Sequence, residues 1–341
     1  MKICIYGAGA IGGLLAAKLA RAGQDVTVIA RGPHLAAIKA RGLKLFSQDE
    51  EILVRPRAAE DPNEAGPQDH VIVAVKATGV VPIAERMGPL LGPGTAVVTA
   101  MNGIPWWYFW NQEGPWKDRQ LASIDPGGQL WRAIPPARCI GCVVYPAAEI
   151  VEPGVVRHGH GNRFMLGEPS GQASERVKAL SQALTEAGFK APVRPKIRDD
   201  IWLKLWGNLS LNVVSALTHG TLAGMANDPA VYAVLRAMMV EAETIARSLG
   251  VELPIDVDTR IAWARDVGEH KTSMLQDMEQ GRPMEIDALT GVIAEMGDLV
   301  GIETPTIDTV LALVRQRARV AGSYPPAVLE QDRIRLVQPD S

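Results

Sequence analysis

The first thirteen residues, MKICIYGAGAIGG, constrain this chain more than any other stretch. Residues 2–6 are mostly apolar and β-favouring, with no glycine or proline, which predicts a buried strand. A G-x-G-x-x-G follows, Gly7-Ala8-Gly9-Ala10-Ile11-Gly12, and then a helix-forming run over 14–22. Gly7 suits the tight turn out of the strand, Gly9 lets a pyrophosphate approach the backbone, and Gly12 lets the helix pack close to the sheet. The helix start offers free N–H groups and the positive end of its dipole to phosphates. Alone the motif is weak, and a glycine turn that binds nothing is the bland alternative. Between strand and helix it predicts a dinucleotide site at residues 7–12.

Bulk properties narrow the class. A length of 341 residues allows two domains, and 47% hydrophobic with 21% charged residues is the composition of an ordinary globular protein. A net charge of −3 gives no electrostatic case for nucleic acid or an anionic membrane surface. No apolar run reaches the roughly 18 residues of a spanning helix, and because the start reads as a strand rather than a charged region with an apolar leader, no signal peptide is expected. Three cysteines make no disulfide framework, so the expected compartment is the cytoplasm.

Residues 25–30 (DVTVIA) read as a second strand, completing a βαβ unit. An NAD site usually carries an acid at its end, whereas here Ala30-Arg31 stands there and no acid occurs between Asp25 and Asp49. Arg31 suits a 2′-phosphate and favours NADP(H), against the alternative of a solvated arginine. Residues 70–76 (HVIVAVK) read as a strand closed by Lys76, either a surface lysine or a cofactor contact at the ligand-binding edge. Residues 95–100 form another strand, ending in Met101-Asn102-Gly103, where Asn102 is either part of a bare turn or a contact to substrate or ribose. The run Trp106-Trp107-Tyr108-Phe109-Trp110, with Trp116 and Trp131 behind it, is expected to place some rings in a pocket or a subunit interface such as a homodimer's, with plain core packing as the alternative. Cys139 and Cys142 read as buried structural cysteines rather than zinc ligands, and 155–167 as hairpin-type strands. His158 and His160 have no carboxylate or cysteine beside them, so no metal is assigned.

After the proline-rich 191–195 the β signals stop, and helices are expected at 199–217, 228–249, 256–267, 283–300 and 305–320. The domains read as 1–194, a Rossmann-type α/β dinucleotide-binding unit, and 195–321, all helical, with a polar tail at 322–341. Lys204, Asn208 and Asn212 are spaced i, i+4, i+8, stacking on one helix face among Trp202, Leu205, Trp206 and Leu209. A lysine at such an apolar boundary loses proton affinity and can act as an acid near neutral pH, although a solvated stripe has the same spacing. Pro283 suits the first turn of a helix, which would place Glu285 in that turn, favourably against the dipole, and on that ground alone its role reads as structural.

Together these motifs resemble the ketopantoate reductases: the N-terminal G-A-G-A-I-G, the strand ending in Lys76, Asn102-Gly103, W-x-K-x-x-x-N-x-x-x-N at 202–212, and S-M-x-Q-D…G-R-x-x-E-I-D at 273–287. The resemblance covers about residues 1–320. It implies NADPH-dependent reduction of a small-molecule 2-keto acid, 2-dehydropantoate, to pantoate in pantothenate and coenzyme A biosynthesis. By that resemblance Lys204 is the general acid, and Glu285 binds substrate hydroxyls and orients the lysine. Asn102, Asn208, Asn212 and Ser273 bind substrate, Arg31 and Lys76 hold the 2′-phosphate, and the active site lies in the cleft between the domains. Met101 departs from the family's more usual glutamine and the aromatic run is bulkier than in plainer members, which keeps a reductase of another 2-keto acid open. A non-catalytic NADP(H) sensor is the alternative of a different class.

Overall fold

The protein is described by a computed structural model, at residues 1–48 and 50–324. From residue 325 on, the expected tail lies outside the described residues. The strands are β1 (Lys2–Tyr6), β2 (Asp25–Ile29), β3 (Leu43–Ser47), β4 (Glu50–Val54), β5 (Arg57–Ala59), β6 (Gln68–Val73), β7 (Leu91–Thr99), β8 (Cys139–Val144), β9 (Ala147–Glu152), β10 (Val155–His160) and β11 (Phe164–Gly167). The helices are α1 (Ala10–Arg21), α2 (Gly32–Arg41), α3 (Val80–Ala84), α4 (Gln129–Ala133), α5 (Glu175–Glu186), α6 (Ile197–Gly207), α7 (Val213–Thr218), α8 (Leu222–Asn227), α9 (Pro229–Ser248), α10 (Val257–Asp266), α11 (Ser273–Glu279), α12 (Val292–Val300) and α13 (Pro305–Val320).

The opening β-α-β pattern builds a seven-stranded sheet in the order β11-β8-β7-β6-β1-β2-β5. All its pairs are parallel except β11 against β8. Tyr6 lies opposite both Ile29 and Val73, and Val73 opposite Thr99, so four strand ends share one row. Gly7, Arg31, Lys76 and Asn102 all follow that row within three residues and therefore emerge along the carboxyl edge, where open α/β sheets bind ligands. The strand expected to reach Lys76 ends at Val73, level with the ends of β1 and β7, and beyond it the Ala74 N–H still pairs with the Tyr6 carbonyl at 2.9 Å.

A second sheet, β4-β3-β10-β9, packs on α1. It corrects the expected hairpin at 155–167: β10 pairs with β9 and β3, whereas β11 pairs with β8 in the large sheet.

Two apolar clusters flank the large sheet. One joins α1 and α5 to one face, through Leu14, Leu15, Val177 and Leu180. The other starts from Val97 and Cys139, takes in 106–109, and runs on without a break into Trp202, Trp206 and the helices beyond. Four of the five rings are therefore core, which corrects for them the expectation that some of the run lines a pocket or an interface: Trp106, Trp107, Tyr108 and Phe109 are at most 2% exposed, and Trp110 packs half-buried against the same cluster. The expectation assumed helix or strand geometry, but residues 106–111 form successive turns whose side chains are not confined to two faces. Each polar ring atom finds a partner, as buried Trp and Tyr require. Trp106 Nε1 donates to the Ile134 carbonyl at 3.2 Å, Trp107 Nε1 to Thr99 Oγ1 at 3.3 Å, and Trp202 Nε1 to the Tyr108 hydroxyl at 2.6 Å.

In the helical half, α9, α10 and α13 fall within a residue of the expected ranges. The helix expected at 199–217 is α6 and α7 joined by a π-helical turn, Asn208–Asn212. The helix expected from 283 begins only at Ile286, and a second π turn, Asp287–Gly291, precedes α12. The two π turns face each other, with Thr290 Oγ1 donating to the Leu209 carbonyl at 3.0 Å.

Candidate active site

The glycine loop fits a dinucleotide on its own geometry. Gly7 has φ +99°, a conformation that a side chain would strain, and a Cβ on Gly12 would overlap the Gly7 carbonyl oxygen. Gly9 is different: the nearest atom to a Cβ there is the Ala74 carbonyl oxygen at 4.0 Å, so packing within the chain does not demand a glycine. What the missing side chain leaves is open backbone at the start of α1, which has no side-chain cap and no acid in its first turn. Those are the conditions for a pyrophosphate on a helix N-terminus. Arg31 stands exposed where β2 gives way to α2 and forms no ion pair with any described residue, which suits a 2′-phosphate.

Across the cleft, Lys204 sits on the last turn of α6, half-buried. Its Nζ donates to Asn102 Oδ1 at 2.6 Å and to the Val144 carbonyl. Burial pulls its pKa down to about 8, against the opposing pull of the Cys142 thiol and the Glu285 carboxylate. An ammonium has three donors, and the protein uses two of them here. Met101, Asn102, Cys142, Lys204, Leu205 and Asn208 line one cavity.

Glu285 completes the cluster from a different position than expected. It lies in the irregular stretch before Ile286 rather than inside a helix, because Pro283 belongs to that stretch and not to a first turn. From there the carboxylate accepts the Ala77 N–H at 2.8 Å and a hydrogen bond from the Asn102 amide. Burial raises its pKa, while the Ala77 N–H, Lys76 and Asn102 work the other way.

The structure thus brings Lys204, Asn102, Glu285 and Asn208 together. Asn212 is buried in the π turn. Four residues of α-helix overshoot a full turn by about 40°, so one wider π turn offsets part of that drift and keeps Asn212 closer to the Lys204 face. Ser273 is exposed at the start of α11. Lys76 reaches into the cleft, with Nζ 2.6 Å from Asp277 Oδ2 and 3.1 Å from the Pro283 carbonyl. Sequence reading gave no role to the buried Asp277, which also takes Arg282 at 2.9 Å; its place in S-M-x-Q-D was the available signal. The Val144 carbonyl carried no signal, because any residue supplies one. Cys4, Cys139 and Cys142 are free and buried, and burial pushes the Cys142 thiol up to about 12.

A dinucleotide-binding sheet facing a desolvated lysine, with an amide and a carboxyl around it, defines a nicotinamide-dependent oxidoreductase. Comparison with known proteins gives the family. The model for ketopantoate reductase PanE/ApbA matches residues 3–171, and that for its C-terminal part matches 196–318. A 2-dehydropantoate 2-reductase of Mesorhizobium japonicum is 56% identical over 95% of this chain and all of its own length. A crystal structure from Ralstonia solanacearum MolK2, described as a candidate ketopantoate reductase, has 44% identity and TM-score 0.91, covering 95% of this chain and 99% of that one. A PanE/ApbA family ketopantoate reductase from Ralstonia eutropha JMP134 has 31% identity and TM-score 0.82, covering 94% of this chain and all of that one. The chain belongs to the ketopantoate reductase family.

Proposed function

We propose that the chain reduces 2-dehydropantoate to pantoate with NADPH, the Lys204–Asn102–Glu285 cluster being the observation that carries this reading. NADPH, when bound, supplies the hydride to the C2 carbonyl. Lys204 turns its remaining N–H to the carbonyl oxygen, stabilises the developing alkoxide and gives it a proton. Asn102 holds the lysine by its carbonyl oxygen and Glu285 by its amide, so the three move as a unit. Glu285, Asn208, Asn212 and Ser273 bind the substrate's polar groups, residues 7–12 bind the pyrophosphate, and Arg31 binds the 2′-phosphate. Lys76 joins Arg31 there only by leaving Asp277, its partner in this structure.

The division into 1–194 and 195–321 belongs to this reading and is supported by the two matched segments, 3–171 and 196–318. So does cytoplasmic residence, in keeping with three free cysteines. Among the described residues no helix is long and apolar enough to cross a membrane. A homodimer is the assembly to test, with Trp263 on α10 and Val267 just beyond it as exposed apolar surface.

One observation favours a second substrate reading: Met101 lies on the cavity wall, so an apolar side chain meets the substrate there. NADPH oxidation measured over a panel of 2-keto acids tests both. Highest kcat/KM on 2-dehydropantoate supports the main reading. A preference for a more apolar 2-keto acid supports the second, and no turnover of any of them overturns both.

A further inference from the structure

Tyr145, the first residue after β8, is influenced by three guanidinium groups, Arg260, Arg163 and Arg194, and by one carboxylate, Asp200. Arg194 is committed to Asp200 at 2.9 Å. Arg163 is exposed, so water screens its charge. Arg260 differs from both. It reaches from α10 onto α6, where its guanidinium occupies the space that a Cβ on Gly207 would take. Arg260 is half-buried, and its guanidinium forms neither a hydrogen bond nor an ion pair with any described residue. Burial pulls its pKa down, and Tyr145 alone offsets this. A desolvated cation without a partner costs free energy, a cost removed when an anion arrives.

The position is as informative as the charge. Gly207 is three residues from Lys204, a spacing that places side chains about 5–6 Å apart on one helix flank. The Tyr145 ring lies 5.8 Å from Lys204 Nζ, and the charge of Arg260 acts on the same tyrosine, just past the carboxyl end of β8. In a 2-keto acid the carboxylate is bonded to the very carbon whose oxygen needs the proton. A group that reads the carboxylate must therefore stand beside the acid without being it.

We infer that Arg260 binds the substrate carboxylate, its planar fork taking both oxygens while Lys204 serves the ketone oxygen. This rests on the proposed 2-keto acid reduction, and it makes Arg260 the residue that separates 2-keto acids from neutral ketones. Gly207 belongs to the same device, since it is the gap in α6 through which the guanidinium is seated.

Steady-state kinetics with 2-dehydropantoate and with its carboxamide test the assignment, with NADPH binding and thermal melting measured on every variant. Arg260→Gln is expected to lower kcat/KM on the acid about ten- to hundredfold, chiefly through KM. NADPH binding should be unchanged, and variant and wild type should become alike on the carboxamide. Arg260→Lys, which keeps charge but loses the fork, should fall in between. Gly207→Ala, which displaces the guanidinium and removes no charge, should raise KM for the acid in the same way. An unchanged KM for the acid, or equal losses on acid and carboxamide, would overturn the Arg260 assignment alone. A wild-type enzyme idle on every 2-keto acid would overturn the functional reading beneath it.

Discussion

Lys204 is held by two acceptors, and its burial, which lowers its pKa to about 8, sets the pH behaviour. An acid must be protonated to act, so reduction should be flat at lower pH and fall about tenfold per unit as pH rises beyond about 8. A rate–pH profile at saturating substrate reads this directly, and a plateau running to pH 10 would separate the proton from Lys204. Lys204→Ala should cost about 10²–10⁴-fold in rate with NADPH binding retained. Because Asn102 couples the lysine to Glu285, the double variant with Glu285→Ala should lose less than the product of the two single losses. Arg31 acts on the cofactor alone. Arg31→Ala should weaken NADPH binding about tenfold or more and leave NADH nearly unchanged, since only the former carries the 2′-phosphate. Fluorescence titration of both cofactors decides it, and equal losses would remove Arg31 from the phosphate site.

At the scale of elements, what the sequence made legible followed from period and punctuation. Gly7, Gly9 and Gly12 between an apolar run and a helix-forming run located the βαβ unit, and α9, α10 and α13 showed clear helical stretches. The π turns were not legible, because Asn208–Asn212 and Asp287–Gly291 contain nothing that a plain α-helix would refuse. Their cause is tertiary, each turn meeting the other across the Thr290–Leu209 hydrogen bond. Glu285 was identified, but its neighbours were not, since its contacts with Ala77 and Asn102 span more than 180 residues of sequence. The aromatic run misled for a different reason: hydrophobic periodicity speaks only of regular elements, and residues 106–109 are turns packed in three dimensions. Their burial makes a stability prediction. Trp107→Ala removes a fully buried ring against Arg198 and Thr99 and should cost about 3–5 kcal/mol in urea unfolding. A loss below about 1 kcal/mol would show that the run is not core.

For the whole molecule, the decisive contact is the one that brings the sheet's carboxyl edge against the helical half. Gly103 makes it. Its φ is +92°, and a Cβ there would come within 2.9 Å of the Ala288 carbonyl carbon, in the π turn just past Glu285. The next residue donates its N–H to the Ala288 carbonyl at 3.3 Å, so two backbones meet with no side chain between them. Asn102 on one side and Glu285 on the other are held in reach by this approach. Gly103→Ala must therefore push the two apart by a fraction of an ångström to about one, and it also forces a side chain into a left-handed conformation at about 1–2 kcal/mol. Misplacement on that scale can cost about 10²-fold in rate, so kcat should fall by about that factor. The glycine loop and Arg31 follow β1 and β2, away from this contact, and NADPH affinity should change by less than about threefold. Kinetics, cofactor titration and urea unfolding on the one variant separate the alternatives. A large rate loss with cofactor affinity intact shows that the seam sets the Asn102–Glu285 distance. A rate loss matched by an equal loss of affinity would mean general misfolding, and an unchanged rate would mean that the catalytic cluster does not depend on the two backbones meeting here.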